Sequence, residues 1–208
     1  MISEKMETQT ITAIVLAAGL GSRFGGDKLL ASIPHPNKTD SKQALGVISA
    51  LNVKPHVDDV LCIVKPQDKA LKELLHMNGL RTVDNHDYEK GLSSSIQTGI
   101  QALSHSQSHY MICLADMPYI SAETYEALTD TFRCDIQNLS DLIVRPVMSA
   151  NNQAGHPVIF SHSHQQSLQA LTGDDGGKPI IKRQGFTPVQ VSDTGILADI
   201  DVKQDIRS

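Results

Sequence analysis

The stretch LAAGLGSRFGGDK, residues 16–28, decides the reading of this 208-residue chain. It follows an apolar run, Ile11, Ala13, Ile14, Val15 and Leu16, whose pattern predicts a short buried strand. Gly19, Gly21, Gly25 and Gly26 then remove side chains where backbone must turn sharply or approach a ligand closely, while Arg23 and Lys28 bring positive charge into the same loop. A nucleoside triphosphate suits that combination; a Gly-rich surface turn with two solvated cations is the alternative for the loop alone. Two common phosphate loops do not fit. A Walker loop ends in Gly-Lys-Ser/Thr, but Asp27 separates Gly26 from Lys28 and Leu29 stands where the hydroxyl belongs. A dinucleotide fingerprint starting at Gly19 needs glycine at position 24, which is Phe24.

Outward from the loop, strands and helices alternate. Ala44, Val47, Ile48 and Leu51 predict a helix over 41–52 with Ser41 as its candidate N-cap. Further helices are expected at 66–77, 93–103, 121–132 (capped by Ser121), 161–171 and 178–184, and strands at 59–65, 80–83, 110–115, 142–147, 157–160, 187–191 and 197–200. Parallel strands need long crossovers, so this alternation implies an α/β fold: one doubly wound, mainly parallel sheet with helices on both faces. The domain is expected over 10–208, with the polar residues 1–9 a disordered N-terminus. Ligands in such sheets sit beyond the carboxyl ends of the strands, where the loop after the first strand, Asp116 and the loop before Ser93 all fall.

Eighteen Lys and Arg against 23 Asp and Glu leave a mildly acidic chain without long like-charge runs, which argues against a nucleic-acid track and for a small charged ligand. Cys62, Cys113 and Cys134 lack CxxC spacing, so neither a disulfide framework nor a zinc site is indicated; Cys62 and Cys113 read as core filler. No segment approaches the ~18 apolar residues of a membrane span, and no apolar leader core follows residues 1–9. The simplest expectation is a cytoplasmic protein that binds no membrane.

Four later stretches sharpen the reading: Gly91-Leu92-Ser93-Ser94-Ser95 with Gly99, Leu114-Ala115-Asp116-Met117-Pro118, Gly155-His156-Pro157-Val158-Ile159-Phe160, and Asp199-Ile200-Asp201. With residues 16–31 they resemble, in order and approximate spacing, the nucleotidyltransferases that activate molybdenum cofactor and sugar or polyol phosphates. In particular they resemble the molybdenum cofactor cytidylyltransferase branch of the molybdopterin nucleotidyltransferase-like family, from Ile11 to Ile206. The resemblance implies a Rossmann-like nucleotidyltransferase fold and magnesium-dependent transfer of CMP from CTP to molybdopterin, with pyrophosphate released and the cytosine dinucleotide formed. It also implies a recipient partner, a molybdoenzyme of the xanthine dehydrogenase class or its chaperone. Relatives that transfer GMP tend to carry LAGG, whereas this chain has LAAG at 16–19. The alternatives are a same-fold enzyme using GTP or another phosphate acceptor, and a non-catalytic nucleotide or cofactor carrier.

For that chemistry Leu16, Ala17, Ala18, Gly19 and Gly21 supply backbone to the nucleotide, Arg23 forks around phosphates, and Lys28 acts as a point charge near the α-phosphate. Magnesium wants carboxylates. Asp116 ends an apolar strand and is the metal-binding aspartate that the resemblance implies; a helix N-cap or an exposed loop acid is its alternative. Asp199 and Asp201 would share one face of the strand expected there, with a solvated edge pair as the alternative. Asp201 is preferred as the second metal ligand, although the family's usual Thr-Pro-Glu-Asp is replaced by Val202-Lys203-Gln204-Asp205, which blurs the choice. Ser93, Ser94 and Ser95 resemble the base-binding serines and read equally well as an N-cap cluster. Gly155, His156 and Pro157 correspond to the acceptor side, and Asp174 and Lys178 to residues holding the pterin phosphate. His162 and His164 would diverge by ~200° on a helix, favouring a solvated face over a metal clip.

Overall fold

The apolar run that precedes the glycine loop forms β1 (Ile11–Leu16), buried at every position. The structure, a computed structural model, describes residues 9–19, 21, 24–36 and 41–206. Arg23, and the residues 1–8 of the expected disordered N-terminus, lie outside the described residues. After β1 come β2 (Ser32–Pro34), β3 (Lys42–Ala44), α1 (Leu45–Val53), β4 (Asp59–Val64), α2 (Lys69–Met77) and β5 (Arg81–Asp84). They are followed by α3 (Leu92–Ala102), β6 (His109–Leu114), α4 (Ala122–Asp135), β7 (Ile143–Met148), β8 (Val158–Phe160), α5 (Gln165–Gln169), α6 (Lys178–Gln184) and β9 (Thr187–Val191).

Seven strands form one sheet in the order β5-β4-β1-β6-β8-β7-β9, with β8 alone antiparallel to its neighbours. Successive side chains of a strand point to opposite faces, so each buried strand feeds two cores. Ile11, Ala13 and Val15 join Val47, Leu71, Leu75, Tyr125 and Phe132 from α1, α2 and α4. On the other face Ile14 and Leu16 meet Ile96, Ile100, Leu168 and Ile180 from α3, α5 and α6. The fold is the doubly wound, mainly parallel α/β architecture that the alternation of strands and helices implies. Ser121 caps α4 as expected, its Oγ accepting from Thr124 N at 3.3 Å.

Four local expectations need correction. Residues 42–44 are not helical but pair antiparallel with 32–34, so α1 starts at Leu45 with Ala44, not Ser41, at the N-cap. A helical spacing of apolar residues cannot reveal a partner strand eight residues upstream. The helix expected from 66 starts at Lys69. The strand expected at 197–200 is absent: a 3-10 turn, Thr194–Leu197, leads into irregular chain. There Ile200 N donates to Asp116 O at 3.0 Å and the Ile200 side chain is buried with Phe24, Ile33, Leu45 and Ile48. The shared-face argument for Asp199 and Asp201 therefore lapses. Nor do the two histidines form a solvated face: His164 is buried with Nε2 donating to Asp141 O at 3.0 Å, and His162 Nδ1 lies 3.0 Å from the Tyr110 hydroxyl.

The His109 ring carries a testable consequence. Its Nδ1 accepts from His162 N at 3.1 Å, and burial, aided by His162, lowers its pKa from 6.5 to about 4. The unfolded chain takes up that proton near the ordinary value of about 6.5, so this stability is complete above it and is lost as pH falls toward 4. The thermal midpoint is expected to fall between pH 7 and pH 4.5, and less steeply in His109→Gln. Equal slopes in the two proteins would show that this ring does not carry the effect.

Candidate active site

Where β1 ends, the backbone stays tied to the sheet, Ala17 N donating to Ile63 O at 2.8 Å, with Ala17 and Ala18 buried. Gly21 and Gly25 then adopt φ of 58° and 74°, a left-handed conformation that side chains disfavour. Phe24, which breaks the dinucleotide fingerprint, is an anchor: it is 7% exposed and packs with Ile33, Leu45, Ile48 and Ile200. The loop closes into a 3-10 turn, Lys28–Leu30, that turns Lys28 inward.

Lys28 Nζ donates to Asp116 Oδ2 at 2.7 Å and to Asp201 Oδ1 at 3.3 Å. Topology accounts for the first contact. Leu16 pairs with Leu114 across the parallel β1–β6 ladder, so the glycine loop and Asp116 leave the same edge of the sheet side by side. The second contact follows from Ile200, whose bond to Asp116 O and burial bring Asp201 alongside. Lys28, Asp116 and Asp201 are 10%, 25% and 40% exposed in their side chains, a gradient from interior to cleft. Burial raises the Asp116 pKa, the Lys28 ammonium opposes the rise, and Asp199 adds to it. A buried carboxylate of this kind stays charged only beside a cation.

These groups line a cleft of about 570 Å³ together with Leu16, Gly19, Gly21, Gly26 and Asp27. Lys65, Gln67 and Asp68 of the β4–α2 connection and Lys69 at the start of α2 also line it, none of them among the site residues expected from the sequence. Lys-Pro-Gln-Asp-Lys directly after an apolar strand was the available signal, by the same carboxyl-end rule that singled out Asp116. A cleft of this size falls within the range of about 300–1,000 Å³ typical of small-molecule sites.

The serines do not line this cleft. They open α3, further along the same edge beyond β4, and are buried. Asn85 Nδ2 donates to Ser94 Oγ at 2.9 Å and Ser95 Oγ at 3.0 Å, and Ser94 Oγ donates to Gly91 O. Ser93 Oγ is buried and has no hydrogen-bond partner among the described residues. Asp174 Oδ1 accepts from Leu92 N at 3.1 Å and Gly173 O accepts from Ser93 N, so residues 173–174 satisfy two donors at the start of α3. A Cβ at Gly91 would come within 2.3 Å of Asp174 Oδ1.

Gly155, His156 and Pro157 precede β8, whose Val158 pairs with Ile112 near the end of β6, so they too reach the carboxyl edge. Gly155 is packed against backbone: a Cβ there would stand 2.3 Å from Ile196 O. Arg145 holds the turn, donating from Nε to Gly155 O at 2.8 Å and from Nη2 to Ala154 O at 3.2 Å. His156 Nδ1 is buried without a partner among the described residues, and burial, then Arg145 and Lys178, lower the ring's pKa to about 4. Its imidazole is neutral at neutral pH. Lys178 opens α6 and is exposed.

Two hard carboxylates converging on one positive charge suit a divalent cation whose remaining ligands are phosphate and water oxygens. Among the described residues no cluster of three or more His, Cys, Asp or Glu forms a self-sufficient metal cage. A glycine loop at the carboxyl edge that ends on a lysine shared between two acids marks an enzyme of the nucleotidyltransferase class. The chain belongs to the family of the MobA-like NTP transferase domain, whose model matches residues 13–189.

It is 25% identical over 176 residues to nicotine blue oxidoreductase of Paenarthrobacter nicotinovorans, covering 84% of this chain and 82% of that one. Rv0371c from Mycobacterium tuberculosis H37Rv shares the fold with a TM-score of 0.73 at 22% identity over 95% of both chains. The nucleotidyl transferase Mth528 from Methanothermobacter thermautotroptrophicus gives a TM-score of 0.72 at 19% identity over 94% of both. A structure of the mycobacterial protein in complex with manganese matches with a TM-score of 0.64 at 19% identity, over 88% of this chain and 87% of that one. Among the described residues no helix is long and apolar enough to cross a membrane.

Proposed function

We propose that this chain transfers CMP from CTP to molybdopterin-type cofactor in the cytoplasm, with magnesium, releasing pyrophosphate and forming the cytosine dinucleotide. The observation that carries the reading is Lys28, held between Asp116 and Asp201 at the mouth of the glycine loop. Backbone at Leu16, Ala17, Ala18, Gly19 and Gly21 borders the triphosphate, and Arg23 forks around its phosphates. Lys28 stabilises the charge that develops as the acceptor phosphate oxygen bonds to the α-phosphorus and the bond to the β-phosphate oxygen breaks. An acceptor phosphate with a second pKa near ~6 is already ionised at neutral pH, so no general base is required. Magnesium, when bound by Asp116 and Asp201, neutralises charge on the phosphates.

LAAG and the serines at 93–95 support cytosine over guanine, with the Ser93 hydroxyl, which has no partner among the described residues, as the group best suited to a base or ribose. On the acceptor side His156 offers a neutral ring, its Nδ1 without a partner among the described residues, and Gly155, Pro157, Asp174 and Lys178 complete the assignment. The product would pass to a molybdoenzyme of the xanthine dehydrogenase class or its chaperone.

Pyrophosphate release from CTP and from GTP, with magnesium and molybdopterin-type acceptor, tests the reading. CTP is expected to be preferred at least roughly tenfold, the factor that ~1.4 kcal/mol supplies, since a mismatched base edge leaves buried polar groups unpaired. Equal rates, or preference for GTP, would remove the cytidylyl assignment and leave a nucleotidyltransferase of other specificity. Absence of transfer from any nucleoside triphosphate would favour another acceptor or a non-catalytic carrier.

A further inference from the structure

The chain that delivers Asp201 has no ladder to hold it. Residues 198–202 lie in neither helix nor strand, and yet Asp201 Oδ1 reaches Lys28 across the cleft. Two apolar side chains secure the ends of this segment: Ile200 is buried among Phe24, Ile33, Leu45 and Ile48, and Ile206 packs against the same group. Between those anchors Asp205 Oδ2 accepts from Asp201 N and from Val202 N, both at 2.8 Å, while Asp205 N donates to Val202 O at 3.1 Å. The turn is thereby closed on itself, with the amide of the cleft acid as one of its fastening points.

We propose that Asp205 is the positioning residue for Asp201: its carboxylate clamps the backbone at 201–202 and so sets where the Asp201 side chain enters the cleft. Hydrogen bonds from N–H groups to an ionised carboxylate are stronger than neutral ones, and two on one oxygen restrict the two peptide planes on either side of the Asp201 Cα. Asp205 itself is exposed and does not line the cleft, so it acts through Asp201 rather than on substrate.

This inference rests on the reading of Asp201 as a metal ligand, and the experiment separates the two. Manganese binding to the full chain, followed by loss of the free-ion paramagnetic resonance signal, is measured alongside the thermal midpoint for Asp205→Ala, Asp205→Asn and Asp201→Asn. Removing a residue that orients a metal ligand typically weakens metal binding by about 10–100-fold. Asp205→Ala is expected to show a loss in that range with its midpoint moved by no more than a few degrees, and Asp205→Asn, whose amide oxygen still accepts, a smaller one. Weakened binding in Asp201→Asn with parental binding in the folded Asp205 variants would overturn the positioning role alone. Parental binding in Asp201→Asn would overturn the metal reading of Asp201 and the clamp's purpose with it. Should Asp205→Ala not fold, Asp205→Asn decides, and parental manganese affinity there refutes the proposal.

Discussion

Lys28→Ala is expected to lower nucleotidyl transfer by about 10²–10³-fold while manganese binds as tightly as in the parent or more so. The rate falls because a donor preorganised for transition-state charge is worth about that much. Metal binding is spared because the ammonium now shared by Asp116 and Asp201 is removed, leaving two acids without their counter-charge. Pyrophosphate release under saturating nucleotide, with manganese titrated separately, reads the two effects apart. Turnover at the parental rate would make the glycine loop and its lysine an ordinary turn and dismantle the site described above.

Asp116→Asn is expected to lose comparable activity for the opposite reason, with metal affinity falling together with rate. The amide keeps the side chain's shape and replaces one anionic oxygen that a hard cation requires. Folding should survive, since the substitution removes a charge whose burial is costly and leaves Lys28 its contact with Asp201. A thermal midpoint within a few degrees of the parent, beside an activity loss that added magnesium does not restore, is the anticipated pattern. Retained activity would leave Asp116 the helix-cap or loop acid that its sequence context also allows. The opposite metal affinities of the two variants distinguish a group that neutralises from one that ligates.

The parts of this site legible in the sequence are those carried by continuous buried runs. β1 and β6 are apolar enough to be read as central strands, and whatever follows a central parallel strand falls at the ligand edge, which located the glycine loop and Asp116. Features that depend on a distant partner were not legible. β3 is a strand only because residues 32–34 lie beside it, and 197–200 is not one because Ile200 seeks an apolar pocket rather than a ladder. The strand that would set Asp199 and Asp201 on one face does not exist, and Asp201 reaches Lys28 through packing instead. Lys65 and Lys69 follow an apolar strand and so fall under the same carboxyl-end rule, but only the folded cleft shows that they line it.

The single reversed strand, β8, decides from which direction the Gly-His-Pro turn arrives. A parallel strand can furnish the ligand edge only with chain that is departing from it, so six strands of the sheet contribute exits. Running the other way, β8 contributes an arrival, and its leading residues stand where its neighbours' trailing ones do. Were β8 turned round in place, His156 would be carried to the far rim of the sheet, about 10 Å away at about 3.3 Å for each of its three residues. One inversion of chain direction thus lets residues separated by forty positions, Asp116 and His156, open onto a common rim, and it does so without any loop having to cross the sheet.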